Sequence, residues 1–297
     1  ASMEPQLRST SHFGPINSVC FPKNCSDIFV TCSVNDIRVW NARTYTELLR
    51  IQVPNLVCNT VTVMPNGRSI VSGWSDGKIR AFFPETGKLQ YVITDAHTDG
   101  VTAIACTNDN TRLVTGGADG RVRVWRVSAS GTQTMEVSFK EHKSAVNHIT
   151  INKDDTEAAS ASSDGSVIVW SLARNTRLNA MFASTMFRSV LYHPDESQLL
   201  TCGSDRKVTY WDAFDCNAIR VLDASSGEIN ALDIDSDGEM FASGGGDKRV
   251  TVWNYDEGIA YYVGVGHSEE IRGLKISPDM RTLVTVGFEG ADRKSVV

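Results

Sequence analysis

Residues able to carry chemistry recur in this chain at a fixed spacing. His97 precedes Asp119 by 22 residues, His142 precedes Asp164 by 22, and His267 precedes Glu289 by 22. Imidazole and carboxylate are the usual parts of an acid–base pair. A catalytic pair, however, occurs once in a chain. Here Asp76, Asp119, Asp164, Asp205 and Asp247 return in register, so they read as turn residues. A partly buried carboxylate needs donors, and a His N–H, an indole N–H and a hydroxyl supply them. His12, His97, His142 and His267 therefore read as structural. His148, on a strand, and His193, before Pro194, have no nucleophile or metal-spaced partner near them in sequence.

The other candidates weaken in the same way. Gly244-Gly245-Gly246-Asp247-Lys248 has the glycines of a phosphate loop but lacks the spacing and a following helix. Glu85-Thr86-Gly87-Lys88 reads as a hairpin turn. Seven cysteines stand at 20, 25, 32, 58, 106, 202 and 216, with no Cys-x-x-Cys pair. Cys20, Cys25 and Cys32 are too irregularly spaced for a zinc site. The cysteines read as small buried thiols of a reducing compartment. No catalytic residue, metal or cofactor is expected.

The candidates sit inside a repeat. Gly116–Trp125 (Gly-Gly-Ala-Asp-Gly-Arg-Val-Arg-Val-Trp) returns at Ser162–Trp170, Gly203–Trp211 and Gly245–Trp253. Variants end at Trp40 and Phe82. The aromatic end points Trp40, Phe82, Trp125, Trp170, Trp211 and Trp253 lie 42, 43, 45, 41 and 42 residues apart. A further step of 42 reaches Ser295, in a damaged seventh copy containing Gly287-Phe288-Glu289-Gly290. Such a period with an Asp-turn-Trp signature marks a repeat array.

Each copy spells four short strands. In the third, Val101–Cys106 alternates, Thr107–Asn110 turns, and Leu113–Thr115 is the second strand. Arg121–Trp125 is the third strand, with Val122 and Val124 on one face. Gln133–Phe139 is the fourth. One such unit cannot bury both of its faces. Stacking the units radially and closing the ring does so and leaves only short edges. The seventh copy lacks the Val-x-Val-Trp strand. Closure then needs Leu7–Thr10 as the outer strand of that blade, and the last blade is expected to be incomplete or irregular.

Totals narrow the function. Net charge is −6 and pI ≈ 5.6, which argues against nucleic acid as the main partner. No apolar run approaches the roughly 20 residues that cross a bilayer, and no secretory pattern opens the chain. Ala1-Ser2-Met3 reads as a cloning scar, with one monomeric propeller over residues 4–297.

The residues that carry the repeat resemble the WD40 family. There, a His before the first strand, a Ser or Thr on the second, the turn Asp and the third-strand Trp form a hydrogen-bonded set. The resemblance implies that His97, Thr115, Asp119 and Trp125 form one set, and His142, Ser160, Asp164 and Trp170 another. It covers residues ~12–290 and is specific because the whole series of repeats carries it. It implies an all-β, seven-bladed propeller. The wording of Cys202–Asp212, Phe241–Asn254 and Gly264–Ser268 is similar to the cilia- and flagella-associated members of the family. That likeness implies the second half of a tandem-propeller protein. It further implies an axonemal place inside doublet microtubules, with contacts to tubulin and other lumenal proteins. The tail Ala291–Val297 departs from the family pattern.

Binding is expected on the column just inside each first strand: Asn17, Asn59, Thr102, Asn147, Arg188, Asn230 and Arg272. These polar residues should ring one mouth of the central channel, where they either meet a partner or satisfy one another. Met181–Phe187 is a second candidate, either partner surface or inter-blade core. The function expected is a non-enzymatic protein-interaction scaffold of the axoneme. The alternative is an adaptor of a ubiquitin ligase or signalling complex. A propeller hydrolase would need a converging acid/base pair at the mouth, which the column does not offer.

Overall fold

Strands of alternating residues need two apolar surroundings, one per face, and the architecture supplies both. The computed structural model describes residues 4–6, 12, 14–290 and 292–296. It is all-β, with seven blades around a channel. A first strand, β1 (Glu4–Gln6), is followed by blade 1: β2 (Ser18–Cys20), β3 (Ile28–Cys32), β4 (Val34–Asn41) and the first part of β5 (Glu47–Val63). Blade 2 takes the rest of β5, then β6 (Ile70–Trp74), β7 (Ile79–Phe82) and β8 (Leu89–Ile93). Blade 3 is β9 (Val101–Cys106), β10 (Arg112–Gly117), β11 (Val122–Val127) and β12 (Gln133–Phe139). Blade 4 is β13 (Val146–Ile151), β14 (Glu157–Ser162), β15 (Ser166–Ser171) and β16 (Thr176–Phe182). Blade 5 is β17 (Phe187–Tyr192), β18 (Gln198–Gly203), β19 (Lys207–Asp212) and β20 (Ala218–Asp223). Blade 6 is β21 (Ile229–Ile234), β22 (Met240–Gly245), β23 (Arg249–Asn254) and β24 (Ala260–Val265). Blade 7 holds β25 (Ile271–Ile276), β26 (Thr282–Gly287) and β27 (Asp292–Val296), with β1 as its outer strand.

The core lies between blades. On one face of blade 3, Val114, Val122 and Val124 pack against Val146, Ile149 and Trp170 of blade 4. On the other, Leu113, Trp125 and Val127 pack against Val71, Ile79 and Ala81 of blade 2. Period-2 alternation thus feeds two interfaces from one strand. A comparable cluster fills each interface of the ring, including the one between blades 7 and 1, where Val284 and Val286 meet Val19, Phe29 and Trp40.

Two expectations need correction. Blade 7 is not short of a strand: β27 pairs antiparallel with β26, and Leu283 faces Ser295 in the register where Leu113 faces Trp125. The Trp is lost from that place, but the backbone still pairs. The closing strand is β1, which pairs Glu4 with Val296 and Gln6 with Lys294. Leu7–Thr10, expected to close the ring, lies outside the described residues.

Blades 1 and 2 also differ from the rest. They share β5, a single strand of 17 residues, and so form one seven-stranded sheet. Other blades are joined by a loop entering through a His or its replacement. Here Val53-Pro54-Asn55-Leu56 spans the corner, with Asn55 at φ 64°, so the strand bends without ending.

β1 covers the outer edge of β27. A chain starting at residue 7 is expected to melt lower by about 2–4 °C, because it reopens that edge. Differential scanning calorimetry of the two chains checks this, and equal melting temperatures would refute the closing role of β1.

Candidate interaction face at the channel mouth

The hydrogen-bonded sets come first, because they hold the loops from which the mouth starts. In blade 3, Trp125 Nε1 donates to Thr115 Oγ1 at 3.2 Å, and His97 Nε2 lies 2.9 Å from the same hydroxyl. His97 Nδ1 lies 3.0 Å from Asp119 Oδ1. In blade 4, Trp170 Nε1 donates to Ser160 Oγ at 2.8 Å, His142 Nε2 sits 2.7 Å from Ser160, and His142 Nδ1 sits 3.3 Å from Asp164 Oδ2. Burial pushes the imidazoles of His97 and His142 down, and the neighbouring carboxylates only partly oppose this. Burial would raise the carboxyls of Asp119 and Asp164, but donors outweigh it and hold both below the usual range. For Asp119 these are the Arg121 N–H and His97. For Asp164 they are Ser166 and the Lys143 N–H. A neutral imidazole beside an ionised Asp carries its proton on Nδ1. The bonds then run one way: indole N–H to hydroxyl, hydroxyl to Nε2, Nδ1–H to carboxylate.

Blade 1 holds a set that the sequence reading assembled only in part. His12 Nδ1 lies 2.8 Å from Asp36 Oδ1, and His12 Nε2 lies 2.8 Å from Thr31 Oγ1, which accepts Trp40 Nε1 at 2.9 Å. Asp36 lies on β4, beyond the turn rather than in it, so its distance from His12 is 24, not 22. The fully buried Arg38 donates Nε to Asp36 Oδ2 at 2.8 Å.

Blade 2 has neither His nor a third-strand Trp, and a different indole fills the gap. Trp74, at the end of β6, is fully buried and donates Nε1 to Ser72 Oγ at 2.8 Å. The matching position in blade 3 is Gly117, where a Cβ would stand 2.5 Å from His97 Nδ1. With no imidazole present, that space admits the larger side chain. Arg80 takes over the carboxylate, with Nη2 2.7 Å from Asp76 Oδ2 and Nη1 3.1 Å from Oδ1. In blade 6, Ser225 stands in the His place and donates to Asp247 Oδ2 at 2.8 Å. A large residue where other copies carry Gly or Ser was the signal for Trp74.

The seven column residues gather around one opening of about 410 Å3, together with Glu228 and Glu270. They form a belt that runs one way around the ring. Asn17 Nδ2 donates to Cys58 O at 2.9 Å, Asn59 to Val101 O at 3.0 Å, Asn147 to Phe187 O at 2.7 Å, and Asn230 to Ile271 O at 2.9 Å. Thr102 donates to Val146 O. Arg188 instead reaches Glu228 at 3.4 Å. Arg272 closes the circle on Asn17 Oδ1 at 2.7 Å, pairs with Glu270 at 3.3 Å, and lies 4.7 Å over the Phe288 ring. Donors are thus spent across blade boundaries. Among the described residues the amide oxygens of Asn59, Asn147 and Asn230 accept no protein hydrogen bond, and they remain for an incoming group. The mouth carries two Arg–Glu pairs and so presents both signs of charge.

Comparison with known proteins matches this geometry. The profile described as "Vps8 beta-propeller" covers residues 58–210, and "WD domain, G-beta repeat" covers 216–254. The chain belongs to the WD40-repeat β-propeller family. Its relatives include proteins named cilia- and flagella-associated protein 52. The one from Chlamydomonas reinhardtii is 52% identical over 289 residues, 97% of this chain and 47% of that protein. The one from Sus scrofa is 48% identical over 286 residues, 96% of this chain and 46% of that protein. The one from Homo sapiens is 47% identical over the same length and shares. The chain spans about half the length of the curated relatives it matches.

The second candidate segment of this WD40 propeller is divided. Met181 and Phe187 are buried in the cluster between blades 4 and 5, while Phe182 and Met186 are exposed. It is not one continuous apolar patch. His148, set aside in sequence, lies half-buried on β13, toward the channel, with Nδ1 2.9 Å from Val190 O. Burial, helped by Lys275, pushes its imidazole down to about 4.

Ser160→Ala leaves the Trp170 N–H and the His142 Nε2 without partners, and is expected to cost about 2–4 kcal/mol. Thr201→Val, in a blade without the His, strands only the Trp211 N–H and should cost about 1–2 kcal/mol. Urea melts measure both, and equal costs would contradict the relay. A pH dependence follows as well. The lowered imidazoles of His97, His142 and His148 contribute stability fully present above their unfolded value of about 6.5. It is lost as pH falls, for His148 toward about 4. Melting temperature should therefore fall from pH 7.5 to pH 4.5, and fall less steeply in His148→Asn. Parallel slopes would remove His148 from the account.

Proposed function

We propose that this WD40 propeller is a non-enzymatic scaffold of the axoneme of cilia and flagella, docking tubulin and other axonemal proteins on its channel-mouth face. The observation that carries the reading is the belt. Seven positions on seven blades are tied into one rigid ring that still offers free amide oxygens and two Arg–Glu pairs. A rigid polar ring suits recognition, since little order is lost on docking. It suits catalysis poorly. Its one hydroxyl, on Thr102, is committed to a backbone carbonyl, and its carboxylates pair with arginines rather than with a base. The relatives' name supplies the place of action, and identity of 47–52% over 96–97% of this chain supports a shared role for it.

The test uses the full-length protein, tagged for proximity labelling in multiciliated cells, with and without Arg188→Glu. Wild type should enrich tubulins and axonemal proteins. The variant should melt as wild type does and lose that enrichment several-fold. Enrichment of ligase or signalling subunits with no axonemal signal would overturn the reading in favour of an adaptor. Unchanged axonemal enrichment in the variant would remove the mouth from it.

A further inference from the structure

The repeat spacing is longest between Trp125 and Trp170, at 45 residues, and the extra length helps to build a cavity. Phe139, the last residue of β12, stands 14 residues after Trp125, whereas the outer strands of blades 4, 5 and 6 end 12 residues after their Trp. The longer hairpin of blade 3 leans back on blade 2: a Cβ at Gly131 would stand 3.5 Å from Tyr91 Cδ1 on β8. Between them lies a groove of about 520 Å3. The first turn of blade 2 forms its other wall. Asn110 Oδ1 pins that turn by accepting the Asn66 N–H at 2.8 Å. The groove shares no residue with the channel mouth and lies at the other end of the first strands.

The acceptors of this groove are spent and its donors are not. Asn66 Oδ1 accepts the Arg68 N–H at 3.0 Å, which fixes the amide and leaves Nδ2 as its free end. Gln90 Oε1 accepts the Ser69 hydroxyl at 2.6 Å. Asp109, the one carboxylate in the lining, takes the hydroxyls of Thr107 and Thr111 on Oδ1 at 2.6 and 2.8 Å, and the Thr111 N–H at 2.9 Å. The carboxylates behind the lining are engaged as well. Glu136 is shared between Arg126 and Arg112. Asp155 accepts the N–H groups of Asn108 and Asp109 at 2.7 and 2.9 Å. Full charges of the two signs therefore balance here, but hydrogen-bonding capacity does not. Among the described residues the Arg68 guanidinium, Asn66 Nδ2, Gln90 Nε2 and the Tyr91 hydroxyl have no protein partner, and of the lining carboxylate only Asp109 Oδ2 is left to face them. Burial pushes the Tyr91 phenol up, so it keeps its proton.

We infer that this groove binds an extended acidic segment of a partner protein. The planar fork of Arg68 matches a carboxylate by two-point contact. The amide N–H groups and the phenol suit the backbone carbonyls of a chain lying in the groove, which are acceptors only. A small molecule fits less well, because pockets for small molecules are mostly apolar and this lining is mainly Asn, Gln, Ser, Thr and Arg.

The probe is a labelled synthetic peptide, Gly-Glu-Ser-Glu-Gly-Glu-Ser-Gly, read by fluorescence anisotropy at low ionic strength. Arg68→Glu, on an exposed residue with no protein partner, should keep the melting temperature and weaken binding by on the order of tenfold, since it sets like charges together. Tyr91→Phe removes one hydroxyl and should weaken binding by roughly fivefold. Arg174→Glu is the control. Arg174 is exposed on the turn between β15 and β16 of blade 4, away from the groove, and its substitution should leave binding unchanged. A loss in Arg174→Glu as large as in Arg68→Glu would overturn the inference, because the attraction would then be general. So would equal binding by the peptide with Gln for each Glu, no binding near ~1 mM, or full binding by either groove variant. Competition by inorganic phosphate, mole for mole, would overturn it too, because the occupant would then be a single small anion.

Discussion

One hydroxyl on the second strand of a blade decides much of this molecule. Thr31, Thr115 and Ser160 each stand between an indole N–H from the third strand and an imidazole from the loop before the first. The hydroxyl can satisfy both only because it donates and accepts at once. Through the imidazole and its carboxylate the loop is fixed to the turn, and with the loop the start of the next first strand. The mouth residues sit one position inside those starts. A channel mouth lined with amides and arginines thus depends on buried groups several residues away from it.

Most of the architecture was legible because it is written several times. The strands expected for the third copy fall on β9 to β12, and the fixed interval from His to Asp found the sets in blades 3 and 4. What escaped notice was substitution by a different geometry. Trp74 donates to Ser72 from the end of the second strand, and no spacing rule anchored on the third strand finds it. Asp36 sits on the strand beyond the turn. Arg80 replaces an imidazole with a guanidinium reaching from a neighbouring strand. In each case the hydrogen-bonding need was kept while the residue type or the position moved. The pairing of β27 escaped for another reason: antiparallel pairing is a backbone property, and loss of the signature Trp does not abolish it. The mouth column was legible as positions. That its donors cross to the next blade was not, because a carbonyl has no letter of its own in the sequence.

The two surfaces of the ring follow opposite logic. At the mouth, polar groups are held by one another and offer selected acceptors. In the groove between blades 2 and 3, acceptors are spent and donors remain. A propeller can present both because each first strand starts at one end of the channel and turns back at the other.

β5 gives the ring a built-in asymmetry. Everywhere else a blade meets its neighbour through side chains and a loop, contacts that can slide or part. Blades 1 and 2 share one strand, bent at Asn55, and so are tied by continuous backbone as well as by the cluster between them. Any breathing of the ring is pushed toward the remaining joints. The joint between blades 7 and 1 is the one held by residues far apart along the polymer, Arg272 and Asn17 among them. If the molecule is ever pried apart under mechanical load, it has a stiff side and a clasp, and the clasp is the place to pull.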